Sequence, residues 1–207
     1  AYKLIYVAPE RLNFDGFRGM ISRLDCPLVA IDEAHCISEW GHDFRSEYRS
    51  LKKLRKHFPR VALHAYTATA TEQVRADIIK QLGLKKSKII VGSFDRPNLF
   101  FRAERMDDRM AQVREVLRRH KRESGIIYCT SRKAVDELSE LLNKQGFRTL
   151  PYHAGMDAEE RSQNQEAFIQ ESCDTIVATV AFGMGIDKSN VRYVIHCGMP
   201  KSLENYQ

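Results

Sequence analysis

Short apolar segments alternate with amphipathic segments along the whole chain. The apolar segments have the length of buried strands, and the amphipathic ones show the spacing of helices that cover one face of a sheet. This order of elements favours an α/β fold built on parallel sheets. Strands are predicted at residues 4–8, 28–31, 61–66, 88–91, 99–103, 125–129, 149–152, 175–179 and 192–196.

Helices are predicted between these strands. One is indicated by an apolar stripe at helical spacing, formed by Phe44, Tyr48, Leu51, Leu54 and Phe58. Thr69 followed by Glu72 matches a capping box and predicts a helix that ends near Gly83. Ser131 is predicted to cap a further helix, which ends at Gly146.

The segment at residues 93–98 breaks this alternation and contains Pro97. A proline outside any periodic pattern is typical of a connection between folded units. We therefore expect a first α/β module at residues 1–92, a linker at residues 93–98 and a second α/β module at residues 99–207. The two modules are alike in their order of elements but share no exact repeat.

Composition narrows the class of protein. The chain has 207 residues, of which 43% are hydrophobic and 29% charged, and this balance excludes wholesale disorder. No apolar run approaches the ~20 residues of a membrane-spanning helix. Five cysteines without a CxxC pair argue against a disulfide framework and fit a reducing compartment. The net charge of +6 arises in residues 1–92, which is weakly compatible with a polyanionic partner or reflects a solvated basic face.

Two adjacent carboxylates, Asp32 and Glu33, directly follow the apolar strand predicted at residues 28–31. Ligands of open parallel sheets bind at the carboxyl ends of the strands. An aspartate in such a place can hold Mg²⁺, and a neighbouring glutamate can polarise an attacking water. Alternatively, the two residues cap the following turn.

The next segment, residues 36–45, concentrates aromatic and basic side chains. Trp40 and Phe44 can stack on bases while Arg45 holds phosphates, which is a sequence-tolerant way to bind single strands. The alternative is that both aromatic rings fill the core. Thr67 and Thr69 follow the strand predicted at residues 61–66, and taken alone they indicate only the entry to a helix.

Taken together, these segments resemble the RecQ family of superfamily 2 DNA helicases. The resemblance covers nearly the whole chain, and its segments occur in the family's order. They are YVAPERL at 6–12, DEAH at 32–35, the aromatic-rich loop at 36–45, TATA at 67–70, SFDRPN at 93–98, GIIYCTSR at 125–132, YHAG at 152–155 and ATVAFGMGIDK at 178–188. DEAH alone is weakly specific, whereas eight segments in order are strongly so.

The resemblance implies a role for each matching residue of the first module. Asp32 would coordinate Mg²⁺, and Glu33 would activate the water that attacks the γ-phosphate of ATP. The residues that would couple single-stranded DNA binding to hydrolysis are His35, Trp40, Phe44 and Arg45. Thr67 and Thr69 would link the motions of the two modules.

In the second module, the resemblance implies four positions that contact the DNA strand, namely Ser131, Arg132, His153 and Thr179. Asp187 would face the nucleotide cleft. Three of these residues have a plainer interpretation: Ser131 and His153 as caps, and Thr179 as the end of a strand. Gly183 and Gly185 would then supply only the backbone freedom of a tight loop.

Two elements of the family are absent from the sequence. The phosphate-binding pattern Gly-x-x-x-x-Gly-Lys-[Ser/Thr] does not occur. In the family it lies upstream of Ala1, and the arginine-finger segment follows Gln207. The resemblance therefore implies two RecA-like modules with parallel sheets, the first incomplete at its N-terminus and the second ending before the arginine finger.

We therefore expect a fragment of an ATP-dependent 3′-to-5′ DNA helicase of repair and recombination. We expect the fragment alone to be inactive, because it contains neither the phosphate loop nor the arginine finger. It would use ATP and Mg²⁺, bind single-stranded and duplex DNA, and lie outside membranes. We expect it in the cytoplasm, with the nucleoid in a bacterium, or in a eukaryotic nucleus. The alternative is a non-enzymatic DNA-binding module with the same fold. A metal-dependent hydrolase using Asp32, His35 and His42 is disfavoured, because the spacing is not HExxH.

Overall fold

The structure is a computed structural model that describes residues 3–41, 44–93, 96–183, 186–200 and 206. The chain divides into two compact units, of which the first extends to Pro97 and the second begins at Asn98. The five cysteines are free thiols. Among the described residues, no helix has both the length and the apolar character needed to cross a bilayer.

The first unit contains a two-stranded parallel sheet. Strand β1 (Leu28–Ile31) pairs with β2 (Ala62–Ala65), and Ile31 lies opposite Ala65. The α-helices of this unit are α1 (Asp15–Ile21), α2 (Leu54–His57) and α3 (Glu72–Leu82), and 3₁₀ helices span Pro9–Asn13, Ala34–Ile37 and Ser46–Lys53. Their apolar residues meet in one core, which includes Ile21, Ile31, Ile37, Leu51, Leu54, Phe58, Val74, Ile78 and Leu82.

The apolar stripe folds as a 3₁₀ helix, Ser46–Lys53, that continues into the short helix α2. A single α-helix was the expectation from the spacing. Tyr48, Leu51 and Leu54 lie three residues apart, a spacing that keeps them on one side of a 3₁₀ helix as well as of an α-helix. The stripe therefore identifies the buried side without fixing the helix type. Leu51 and Phe58 are buried as the stripe predicts, whereas Phe44 is 37% exposed.

Helix α3 is capped by Thr71, whose side chain accepts a hydrogen bond from the backbone N–H of Val74. The prediction that Thr69 caps this helix is therefore wrong, because the capping residue lies two positions later. The hydroxyl of Thr67 accepts the N–H of Thr69, which holds that residue in the preceding turn. The predicted end is confirmed, because Gly83 follows α3 with a φ of 60°, a left-handed conformation that glycine adopts without strain.

The second unit contains a four-stranded sheet in the order β4-β5-β3-β6, and all of its strand pairs are parallel. The strands are β3 (Ser124–Tyr128), β4 (Thr149–Tyr152), β5 (Thr175–Ala178) and β6 (Val191–His196), and the helices are α4 (Arg109–Arg119), α5 (Arg132–Lys144) and α6 (Ala158–Ile169). Ile127, Ile176 and Val177 are fully buried, as expected for central strands with both faces covered. The predicted α/β class with parallel sheets is confirmed.

Three predicted strands are wrong, namely those at residues 4–8, 88–91 and 99–103. These segments have no strand structure, and their apolar side chains are exposed: Tyr6 by 90%, Ile90 by 80% and Phe100 by 88%. A strand exists only where a neighbour accepts and donates its backbone hydrogen bonds. None of the described strands pairs with these segments, so their apolar sequence alone does not make them strands.

Candidate functional site

In the first unit, Asp32 and Glu33 directly follow β1, at the edge of the sheet where both β1 and β2 end. The backbone N–H of Tyr66 donates to the carbonyl of Ile31, and the N–H of Ala34 donates to the carbonyl of Tyr66, at 2.8 and 2.9 Å. Asp32 is exposed at this edge, and its Oδ1 accepts the backbone N–H of Glu33 at 2.9 Å. The sheet thus fixes the backbone on both sides of the carboxylates, while the Asp32 carboxylate faces solvent.

Glu33 adopts a left-handed backbone conformation, with a φ of 47° and a ψ of 43°. This conformation costs a residue with a β-carbon on the order of 1–3 kcal/mol, and it persists only where the surrounding structure imposes it. Here it turns the chain from β1 directly into the 3₁₀ helix Ala34–Ile37. Such strain is often found at functional sites. The Glu33 side chain makes no capping hydrogen bond to this 3₁₀ helix.

His35 connects the ends of the two strands. Its ring is buried, with Nδ1 lying 2.8 Å from the hydroxyl oxygen of Thr67 and 3.3 Å from a carboxylate oxygen of Glu33. Thr67 follows β2, and its hydroxyl also contacts the backbone of Thr69. The structure therefore brings together four of the predicted residues, since Glu33, His35, Thr67 and Thr69 form one continuous set of polar contacts.

The first residues of the aromatic loop, residues 36–45, are buried. Ser38 is fully buried, and its hydroxyl and carbonyl oxygens accept the backbone N–H groups of Trp40 and Gly41. A β-carbon at Gly41 would overlap the carbonyl oxygen of His35, so this tight turn requires glycine. His42 and Asp43 lie outside the described residues.

The aromatic side chains of this loop point away from the core. Trp40 is 68% exposed, which argues against the alternative that it fills the interior. The guanidinium of Arg49 lies 5.0 Å above the ring of Phe44, and Arg49 also pairs with Glu39. The backbone N–H of Arg45 donates to the carbonyl of Cys36 at 3.0 Å, which closes the loop next to His35.

In the second unit, the predicted strand-contacting residues follow three neighbouring strands. Ser131 comes after β3, His153 directly after β4 and Thr179 directly after β5. The N–H of Thr179 donates to the carbonyl of Tyr152 at 3.2 Å, which joins the ends of β4 and β5. Because these strands are parallel neighbours, the residues share the carboxyl edge of one sheet.

Two of these residues also have structural tasks. The hydroxyl of Ser131 accepts the backbone N–H of Ala134 at 3.2 Å, so its predicted capping of α5 is confirmed. His153 is buried, with its Nε2 2.9 Å from an oxygen of Asp136. Arg132 is exposed beside Gly155. Contact of these residues with DNA stays a prediction.

The loop after β5 is anchored at its start. The hydroxyl of Tyr128 donates to the carbonyl of Phe182 at 2.9 Å, and burial raises the pKa of Tyr128. Gly183 has a φ of 133° and lies so close to this hydroxyl that a β-carbon would clash with it. Met184 and Gly185 lie outside the described residues, and Asp187 is exposed beyond them.

Two residues near these sites were not predicted from the sequence. The Tyr48 hydroxyl lies 3.5 Å from the carbonyl oxygen of Asp32, and burial raises the pKa of Tyr48. Asp136 contacts His153, and its sequence signal is its position four residues after Arg132, which places both on one face of a helix. Over the described residues, no group of three or more His, Cys, Asp and Glu side chains could hold a metal ion.

Residues 108–207 match the family model described as the helicase conserved C-terminal domain. The fold agrees with that class. Dbp5 of S. cerevisiae, solved bound to RNA and ADP BeF3, superposes with a TM-score of 0.68 at 16% identity, over 90% of this chain and 49% of that one. The second unit thus contains the sequence that matches the helicase conserved C-terminal domain, and the chain shares the fold of this helicase structure.

The relatives narrow this class. The chain is 45% identical to ATP-dependent DNA helicase RecQ of Pasteurella multocida over 99% of its length, and 43% identical to that of Bacillus subtilis over 100%. It is also 43% identical to the RecQ-like DNA helicase BLM of Xenopus laevis over 99% of its length. The chain belongs to the RecQ family of helicases. It spans 32% of the first relative, 35% of the second and 16% of the third.

Proposed function

We propose that this chain is part of the core of an ATP-dependent 3′-to-5′ DNA helicase that acts in DNA repair and recombination. The observation that carries the proposal is the set of contacts joining Glu33, His35 and Thr67 at the carboxyl ends of β1 and β2. Family membership supports a DNA helicase role. The same proposal places the protein with DNA, in the bacterial cytoplasm and nucleoid or in a eukaryotic nucleus.

The chemistry we propose for the carboxylates is hydrolysis of ATP. Asp32 offers an exposed carboxylate, a donor that Mg²⁺ prefers, and only its Oδ1 is engaged by a described hydrogen bond. Bound Mg²⁺ would neutralise charge on the ATP phosphates. Glu33 would accept a proton from the water that attacks the γ-phosphorus, and the products would be ADP and phosphate.

The contacts of His35 suggest how DNA binding and hydrolysis are coupled. His35 touches the proposed base Glu33 on one side and Thr67 on the other, while the loop that carries Trp40 starts one residue later. A nucleobase stacked on Trp40 would shift the position of this loop. Gly41 packs tightly against the carbonyl oxygen of His35, so a movement of the loop would also move His35. We propose that this rigid connection transmits strand binding to Glu33.

The proposal predicts that the 207-residue chain itself binds single-stranded DNA weakly and with strong dependence on salt. A protein that contacts about three phosphates of a single strand loses roughly 20-fold in affinity between 50 and 200 mM salt. Fluorescence anisotropy with a labelled oligothymidine at these two salt concentrations measures this loss. Absence of binding at 50 mM salt would contradict a role for this chain in holding the strand.

A further inference from the structure

Both ring nitrogens of His153 are engaged within the second unit. The backbone N–H of Gly155 donates to Nδ1 at 3.2 Å, and Nε2 lies 2.9 Å from Oδ1 of Asp136. A nitrogen that accepts an amide proton carries no proton of its own, so the ring proton sits on Nε2 and is donated to the carboxylate. The His153 side chain is 8% exposed. The His153 ring therefore links α5 to the turn at residues 153–155 through two hydrogen bonds.

Arg132 rests on the turn that His153 holds. Arg132 and Asp136 are four residues apart on α5 and therefore lie on the same face of the helix. A β-carbon on Gly155 would lie 3.0 Å from Cδ and 3.1 Å from Nη1 of Arg132, so the arginine packs directly against the glycine backbone. Within the described part of the chain, no carboxylate pairs with Arg132. The guanidinium is thus positioned by packing, and none of the described carboxylates forms an ion pair with it.

We infer that Asp136 is a positioning residue for strand binding. It holds His153, which fixes the turn at residues 153–155, and this turn holds the Arg132 guanidinium in place for a DNA phosphate. The inference rests on the proposed function, in which this sheet edge contacts the strand. It assigns His153 the task of support, and it assigns the phosphate contact to Arg132. Preorganising a long side chain in this way lowers the entropy that is lost when the phosphate binds.

If only charge mattered, removing Asp136 would strengthen DNA binding, whereas loss of a positioning residue would weaken it. Its carboxylate is a negative charge on a face that would bind a polyanion, and its side chain is 58% exposed. Removing a negative charge should tighten DNA binding if charge is all that matters. A loss of affinity on removing Asp136 is therefore the signature of positioning.

The test is oligothymidine binding by the 207-residue chain and three variants. Asp136→Ala is expected to weaken binding about three- to tenfold and to lower the slope of log affinity against log salt by about 0.7, the value of one single-strand phosphate contact. Asp136→Asn keeps an acceptor for Nε2–H and is expected to bind at least as tightly as the wild type. Glu137→Ala is the matched control, because it removes a neighbouring exposed carboxylate that faces Lys133. It is expected to bind as tightly as the wild type or more tightly.

A double-mutant cycle checks the path through Arg132. Arg132→Ala is expected to weaken binding at least threefold in the wild type and to have little further effect in Asp136→Ala. Full additivity of the two losses, or binding by Asp136→Ala as tight as by Glu137→Ala, would overturn the inference and leave the proposed function standing. A wild-type chain that binds no DNA would instead overturn the proposed function.

A spectroscopic measurement on the wild-type chain tests the inference even if a variant does not fold. ¹⁵N chemical shifts of the His153 ring in the wild-type chain are expected to show a protonated Nε2 and an unprotonated Nδ1. In Asp136→Asn the same form should persist, since the amide oxygen still accepts the proton. A ring with its proton on Nδ1 would overturn the inference, because Nδ1 could not then accept the Gly155 N–H.

Discussion

Replacing Glu33 with glutamine in the full-length protein is expected to leave ATP affinity unchanged and to slow hydrolysis by about 10²–10⁴-fold. The glutamine side chain fills the same space but accepts no proton from the attacking water. The strained backbone that aims Glu33 from the end of β1 is unaffected by the change of one atom. Steady-state ATPase rates and titration with a fluorescent ATP analogue measure the two quantities.

The matched control for this variant is Glu72→Gln, which makes the same change at an exposed position in the first turn of α3. Its ATPase rate is expected to equal that of the wild type. Turnover by Glu33→Gln within a fewfold of the wild type would show that Glu33 is not the base. A parallel loss of ATP affinity would assign Glu33 to nucleotide binding instead.

Replacing Trp40 with alanine is expected to raise the DNA concentration that half-maximally stimulates the ATPase and to leave the basal rate unchanged. Stacking of one base on an aromatic ring contributes about 1–3 kcal/mol, which corresponds to about 5- to 150-fold in DNA affinity. Trp40 is 68% exposed, so its loss should change the free energy of unfolding by only about 0.5 kcal/mol. The ATPase assay with and without oligonucleotide, together with a melting curve, measures both effects.

Tyr6→Ala is the control for Trp40→Ala, because Tyr6 is an aromatic residue of the first unit that is 90% exposed and lies outside the loop. It is expected to respond to DNA as the wild type does. A Trp40→Ala variant that melts far below the wild type would indicate a structural role. Normal stimulation by DNA in a stable Trp40→Ala variant would remove the loop from strand sensing.

The sequence predicted the sheet of the second unit because its central strands, β3 and β5, are buried on both faces. Runs such as Ile126-Ile127 and Ile176-Val177 are uniformly apolar, and that pattern is typical of central parallel strands. It failed for residues 4–8, 88–91 and 99–103, where the side chains are equally apolar. The local pattern shows only how apolar a segment is. Strand pairing depends on a neighbouring strand elsewhere in the chain.

The candidate site was only partly predictable for a similar reason. The place of Asp32 and Glu33 follows from a strand that ends at a pair of carboxylates. The contact between His35 and Thr67 joins residues 32 positions apart, and the left-handed backbone of Glu33 has no signal in its residue type. These features arise from the parallel pairing of β1 with β2, which a single sequence does not reveal.

The most direct test of the central claim is steady-state ATP hydrolysis by the full-length protein, with and without single-stranded DNA. The claim is that a strand held by the aromatic loop acts through His35 on the carboxylates at the end of β1. It predicts a low basal rate that rises with added oligonucleotide and saturates. A rate that does not respond to single-stranded DNA, in a protein shown to bind it, would contradict the claim.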